Sequence, residues 1–290
     1  MNTSSFRQYA ALGFCAFTVP AIVFLPQCGW LWAGTAALVT ALICSGGHIA
    51  PPNRLISTPL LLWNCLLLGF FASQLSLQAN SDLPGLLLLL FAAYAAGRQT
   101  LPRVAAVVFF FLTAMYGALL AFALPEQEIS ALAPKTQCDW SLLPYALAPT
   151  AVLYLCKERG KPTLWLAGGI LLATLAALIT QGFRASDFYT AAKSVTVLGA
   201  MERLEPLVLS ALTAGGFCLM GLLCTLNQTL IGGENGAAVN FLGGVAGYIL
   251  MPLLSKELLA LGTAIFWGFL PFGLQFVGFL KKFKKSEKSA

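Results

Sequence analysis

Long apolar runs separated by short polar patches fill most of the chain, without the one-sided 3.6-residue periodicity of a surface helix. A helix needs about 20 apolar residues to cross a hydrocarbon core ~30 Å thick, so runs of this kind predict membrane spans. Ten are expected, over approximately residues 8–26, 29–46, 58–78, 84–97, 104–124, 140–156, 163–181, 205–226, 236–254 and 257–280. A transmembrane β-barrel would show alternating segments of about ten residues, and these runs do not alternate. Loops are short except for 125–139 and 182–204, so residues 1–290 read as one transmembrane domain ending in a basic tail, 281–290.

Two of these runs are interrupted. The sixth, WSLLPYALAPTAVLYLC, carries Pro144 and Pro149 beside Tyr145 and Thr150. Proline removes a backbone donor and clashes with the preceding turn, at ~3 kcal/mol in a helix interior. The first, YAALGFCAFTVPAIVFLP, has Gly13, then Thr18 and Pro20. If ten spans divide into two halves of five, spans one and six correspond, and paired interruptions at corresponding places point to an inverted-repeat binding site. Bare backbone in lipid costs several kcal/mol per group, so such breaks are expected inside protein or along a cavity. Half-helix N-termini there suit a carboxylate, and freed carbonyls suit an ammonium. Gly13, Thr18, Pro20, Tyr145, Pro149 and Thr150 are therefore the candidate binding residues, with Asn64 of span three beside them. The competing reading is that each proline only kinks a packed helix.

Composition agrees with the pattern. The chain is 58% hydrophobic and 10% charged, with a mean hydropathy of +0.81; soluble domains carry about a quarter charged residues. The net charge of +6 needs no nucleic acid, because five lysines lie in KKFKKSEKSA and other basic residues fall in short loops. Such lysines are drawn to anionic lipid headgroups. A cytoplasmic N-terminus places Arg7, Arg54, Arg98, Arg103, Lys157, Arg159, Lys161 and the tail lysines inside, twelve in all. Lys135, Arg184, Lys193, Arg203 and Lys256, five, then lie outside. The imbalance predicts that both termini are cytoplasmic. The N-terminal apolar stretch lacks a small-x-small cleavage site and is expected to remain as the first span.

Catalytic patterns are missing. No HExxH, GxSxG or Walker loop occurs, and His48 stands at a cytoplasmic edge as an interfacial residue. No charged residue falls securely in mid-span, which disfavours a proton relay. The eight cysteines show no zinc or redox spacing, and no cofactor is expected. Cys28 and Cys138 fall in expected outer loops, where a disulfide between them is open. Scattered polar residues, among them Thr113, Tyr116, Asn240, Tyr248 and Gln275, read chiefly as bridges between helices.

The segment FYTAAKSVTVLGAMERLEPLVLSALTAGGF, residues 188–217, with Glu202, Arg203, Leu204 and Glu205 in its middle, is the most specific stretch. Glu202 and Glu205 share a helix face with Arg203 offset, and Pro206 suits a first helical turn. By itself this reads as an exposed helix start whose acids favour the N-terminal dipole. The stretch resembles the approach to span eight of the spore germination permeases, the B subunits of nutrient germinant receptors. These resemble the amino acid–polyamine–organocation superfamily. The resemblance extends loosely along the chain, which is shorter than the family's usual length. Its sixth span uses Pro144 and Pro149 where the superfamily has a glycine-rich break.

The resemblance implies an all-α membrane protein of ten helices, with an inverted five-plus-five repeat of leucine-transporter type and broken helices one and six. It implies a nutrient-sensing subunit of the cytoplasmic or spore inner membrane that binds a small nutrient, an amino acid, in a mid-membrane pocket. Its partners would be an A-type membrane subunit and a C-type lipoprotein. Glu202, Arg203 and Glu205 would form a structural or gating group at the outer mouth. An active amino-acid permease of the same fold and a non-transporting scaffold subunit are the alternatives.

Overall fold

The computed structural model describes residues 3–28, 30–45, 49, 54–78, 81–96, 100–123, 139–155, 166, 169–170, 205–232 and 236–277. All regular structure among the described residues is helical, with no strand. Helix α1 spans Thr3–Val19 and continues as a π turn, Pro20–Phe24, and a 3₁₀ turn, Leu25–Cys28. Helices α2 (Trp30–Ser45), α3 (Arg54–Gln78), α4 (Asp82–Ala96) and α5 (Leu101–Ala123) follow. Helix α6 begins as a 3₁₀ helix, Trp140–Ala151, and ends as an α turn, Val152–Leu155. Then come α7 (Glu205–Ile231) and α8 (Gly236–Leu250, with a 3₁₀ end at Met251–Leu253). Helix α9 runs over Lys256–Val277 and contains a π segment, Ala264–Phe269.

Nine of the ten expected spans coincide with these helices. Of the seventh only residues 166, 169 and 170 are described, and the loop 182–204 with Glu202 and Arg203, His48, Cys138 and the basic tail lie outside the described residues. Glu205 is the first residue of α7. Five helices are long and apolar enough to cross a membrane, in the stretches Ile56–Ser76, Leu101–Ala118, Ser210–Ile231, Gly236–Leu253 and Lys256–Val277. Shorter apolar helices cover Gln8–Phe24, Leu31–Ser45, Asp82–Ala96 and Trp140–Leu155.

Helix geometry explains how the last of these, only sixteen residues long, reaches so far. Sixteen α-helical residues rise only about 24 Å. A 3₁₀ helix rises about 2.0 Å per residue, so the twelve-residue 3₁₀ part of α6 adds about 24 Å and its α turn about 6 Å. Trp140–Leu155 thereby extends about 30 Å, the thickness of a hydrocarbon core. Asp139 starts this helix, its carboxylate accepting from the Ser141 N–H at 3.1 Å and the Ser141 hydroxyl at 2.6 Å.

The buried core gathers around α1, α3, α6 and α7. Helix α1 packs against α5, α6 and α7, while α3 packs against α4, α7 and α8. Helices α2 and α9 both pack on α6. Much of α7 is interior: Cys218, Leu219, Met220, Leu222, Leu223 and Cys224 have no exposed surface. Outward faces are apolar instead. Phe110 is 74% exposed, Phe269 72% and Leu253 80%, an arrangement compatible with a bilayer around the protein.

Backbone approach is closest between α3 and α8. A Cβ on Gly69 would fall on the backbone of Gly247 and Tyr248, and one on Gly247 would lie 2.5 Å from the Cys65 carbonyl oxygen. Small residues permit such crossings where lipid offers no hydrophobic drive for helix association. The Tyr248 hydroxyl donates to the Asp82 carboxylate at 2.5 Å, fastening α8 to the start of α4.

Candidate functional site

Prolines 149 and 271 determine where backbone carbonyls lose their partners. In 3₁₀ geometry the carbonyl of Ala146 would accept from residue 149, but Pro149 has no N–H. That carbonyl instead accepts from the Thr40 hydroxyl of α2 at 3.1 Å. In α9, the carbonyl of Trp267 would accept from residue 271 in α register, and that of Phe266 would do so in π register. Pro271 has no N–H and supplies neither bond, and the N–H of Leu270, which would serve Phe266 in α register, is spent on Ile265. Both carbonyls turn to α6: Trp267 accepts from the Thr150 hydroxyl at 2.6 Å, and Phe266 from the Tyr154 hydroxyl at 3.4 Å.

Thr150 and Thr40 each have one proton and two acceptors within reach. Thr150 Oγ1 is also 2.7 Å from the Leu147 carbonyl, and Thr40 Oγ1 is 2.8 Å from that of Ala36. Both side chains are fully buried. A neutral hydrogen bond contributes about 1 kcal/mol net, whereas a bare buried partner costs about 1–3 kcal/mol. These hydroxyls thus cover the exposed carbonyls at the breaks and make the non-α segments tolerable in an apolar interior.

Trp267 joins this lock to a second network. Its indole N–H donates to the side-chain oxygen of Asn64 at 3.4 Å, and Asn64 donates to Asn227 at 3.0 Å. Asn227 donates to Asn240 at 2.9 Å, and Asn240 to the Cys224 carbonyl at 2.9 Å. All the donors run in one sense, from α9 through α3 and α7 to α8 and back to α7. The three asparagines have no exposed surface. Interhelical bonds of this type average ~0.6 kcal/mol each in membrane proteins, so the chain's main effect is to fix which helix faces meet.

Aromatic rings fill the space between the first and sixth helices. Tyr145 stacks on Phe70 at 4.8 Å between centroids and lies 4.8 Å from Phe24, which belongs to the π turn after Val19. Phe71 meets Tyr145 edge-on at 6.1 Å and stacks parallel to Trp267 at 6.4 Å. The two irregular segments, Pro20–Phe24 and Trp140–Ala151, are therefore in direct contact through Phe24 and Tyr145.

The residues singled out in the sequence fall into two groups. Asn64, Tyr145, Pro149 and Thr150 gather around Trp267 and Phe71, with Pro20 opening the π turn that brings Phe24 to them. Gly13 sits elsewhere, where α1 meets Val152 and Leu166; a Cβ there would be 2.9 Å from Val152 Cγ2. Thr18 faces Tyr116 of α5 and Gly215 of α7. Among the described residues, Thr18 Oγ1, Tyr116 Oη and Trp63 Nε1 are buried without a hydrogen-bond partner. Glu202 and Arg203 lie outside the described residues, as does the Glu205 side chain. Cys28 is buried with its sulfur 3.5 Å from the Asp139 carbonyl oxygen, while Cys138 is outside the described residues.

Trp267, Asn227, Thr40 and Pro271 were not singled out from the sequence. Pro271 carried a readable signal, since any mid-span proline strips a carbonyl one turn earlier. Among the described residues no group of three or more His, Cys, Asp or Glu side chains is arranged to hold a metal ion. Compared with protein-family models and with curated proteins, the chain matches none.

Proposed function

We propose that the protein is a B-type germinant-receptor subunit that binds a small nutrient, an amino acid, at the meeting of its first and sixth helices. The observation that carries this reading is the set of proline-stripped carbonyls, those of Ala146, Phe266 and Trp267, each accepting from a side-chain hydroxyl of another helix. A ligand ammonium is a stronger donor to such carbonyls than a neutral hydroxyl, since charge-assisted bonds are roughly twice as strong. Binding would draw Thr150 off Trp267 and loosen α6 from α9. In this reading the chain has ten spans in an inverted five-plus-five arrangement, cytoplasmic ends, and membrane-subunit and lipoprotein partners. Glu202, Arg203 and Glu205 act at its outer mouth.

Aromatic Phe24, Phe70, Phe71 and Tyr145 bound this region and favour a ligand with an apolar side chain beside its charged backbone groups. Equilibrium binding of radiolabelled amino acids to purified protein, with reconstituted vesicles assayed in parallel, tests the proposal. Saturable binding without concentrative uptake supports a receptor. Uptake would make the chain a permease of the same fold, and failure of every amino acid to bind would leave a scaffold.

A further inference from the structure

Exposed side chains change from charged to apolar at the starts of α4 and α6. Exposed Asp139 is followed by Trp140, which is 57% exposed. Exposed Asp82 is followed by Leu83, 63% exposed, and then by Leu87, Leu90 and Phe91 on the outer face of α4. Both changes lie at one end of the protein. Phe70 of α3 stacks on Tyr145, while Asn64, nearer the start of α3, reaches Trp267 beside Thr150. Helix α3 therefore runs opposite to α6, and its last turns lie level with Trp140. Ser76 in those turns donates to the Asp82 carbonyl at 3.1 Å, which brings Asp82 to the same end.

Amphipathic rings stand at this level. Trp32 of α2 meets Trp140 edge-on, at 4.1 Å between centroids. The Trp140 indole N–H has no acceptor among the described residues. Tyr248 turns its hydroxyl to the Asp82 carboxylate. Rings with an apolar body and a polar tip settle where headgroups meet hydrocarbon, because one side is dry there and the other wet. A bilayer also accounts for the exposed carboxylates above this level and the exposed leucines below it.

We propose that Trp140, braced by Trp32, and Tyr248 seat in the interfacial layer of a phospholipid bilayer, where the Trp140 N–H donates to a lipid ester carbonyl. The anchor fixes the depth of what lies beneath it. Tyr145 and Thr150 follow Trp140 by five and ten residues in a 3₁₀ helix. At about 2.0 Å per residue along the axis, they lie about 10 Å and about 20 Å below that layer. The midplane of a core ~30 Å thick is at about 15 Å, so the Thr150–Trp267 bond lies past it, toward the opposite face. The anchor stands whether or not the carbonyls near Thr150 receive a ligand.

Tryptophan fluorescence of the full chain in phosphatidylcholine vesicles tests this, with nitroxide-labelled lipids as quenchers. The Trp140 signal is the difference between the unaltered protein and Trp140→Phe. It should be quenched several-fold more by lipid labelled just below the headgroup than by lipid labelled at the chain terminus, and only weakly by aqueous iodide. Equal or stronger quenching by the deep label overturns the proposal, as does iodide quenching above that of either lipid. Quenching by none of the three overturns it too, since protein rather than lipid would then cover the ring. If Trp140→Phe does not fold, Trp140→Tyr supplies the same difference and keeps an amphipathic ring. The readout needs no ligand, so its failure would leave amino-acid binding to be judged separately.

Discussion

The Thr150 hydroxyl lies 2.6 Å from the Trp267 carbonyl, a carbonyl that Pro271 deprives of its helical donor. A side chain on α6 thus substitutes for a missing backbone N–H on α9. The same relation holds between Thr40 and Ala146, with Pro149 as the cause.

This relation predicts a specific coupling. Thr150→Val keeps shape and removes the donor, and it should destabilise the protein by about 1–3 kcal/mol. In a Pro271→Ala background, residue 271 regains an N–H for Trp267, and the same substitution should cost much less. Thermal unfolding of the four proteins in detergent checks this; equal costs in both backgrounds would contradict it.

Asn227 stands in the middle of the asparagine chain, so Asn227→Leu strands both Asn64 and Asn240. A loss of about 1–3 kcal/mol is expected. Adding Asn64→Leu should then cost less than it does alone, because its partner has already gone. Additive unfolding temperatures would show that the asparagines act independently.

Gly247→Val places a branched side chain against the Cys65 carbonyl and the Leu66 backbone. Overpacking of this sort costs about 1–3 kcal/mol, and here rigid backbone is the obstacle, so a sharp fall in folded yield is expected. Gly273→Ala is the control, since nothing lies within 4 Å of a Cβ there. Size-exclusion chromatography of the two variants should show aggregation for the first and an unchanged peak for the second.

Cys15 of α1 and Cys218 of α7 are within side-chain hydrogen-bonding reach of each other. A membrane-permeant oxidant should join them, which peptide mapping without reductant would detect as a linked pair of fragments. Cys15→Ser should abolish that pair. Its absence in the unaltered protein would contradict the packing of α1 on α7.

What was legible from residues alone was the placement of the irregular segments. Pro20, Pro144 and Pro149 announce missing donors in any apolar run, and helices α1 and α6 depart from α geometry there. Asn64 and Thr150 were visible as polar groups in mid-span. Their partners were not, because the bonds join residues 163 and 117 positions apart, which no local pattern reports. Trp267 was hidden for a different reason: in an apolar run its ring reads as one more lipophilic group. Asn227 fell one residue past the expected end of its span, where polarity carries no special meaning. Gly13 was singled out for its place before Pro20, yet its lack of a Cβ serves close packing on Val152.

The central claim is that carbonyls stripped by proline receive an amino acid in place of hydroxyls from α2 and α6. It is tested most directly by a thermal-shift screen of the common amino acids on the purified protein, repeated with Pro149→Ala and Pro271→Ala, which return a backbone N–H to the Ala146 and Trp267 carbonyls. A ligand that raises the unfolding temperature of the unaltered protein, with the shift lost in both variants, is the result predicted. A shift of equal size in all three proteins would contradict it.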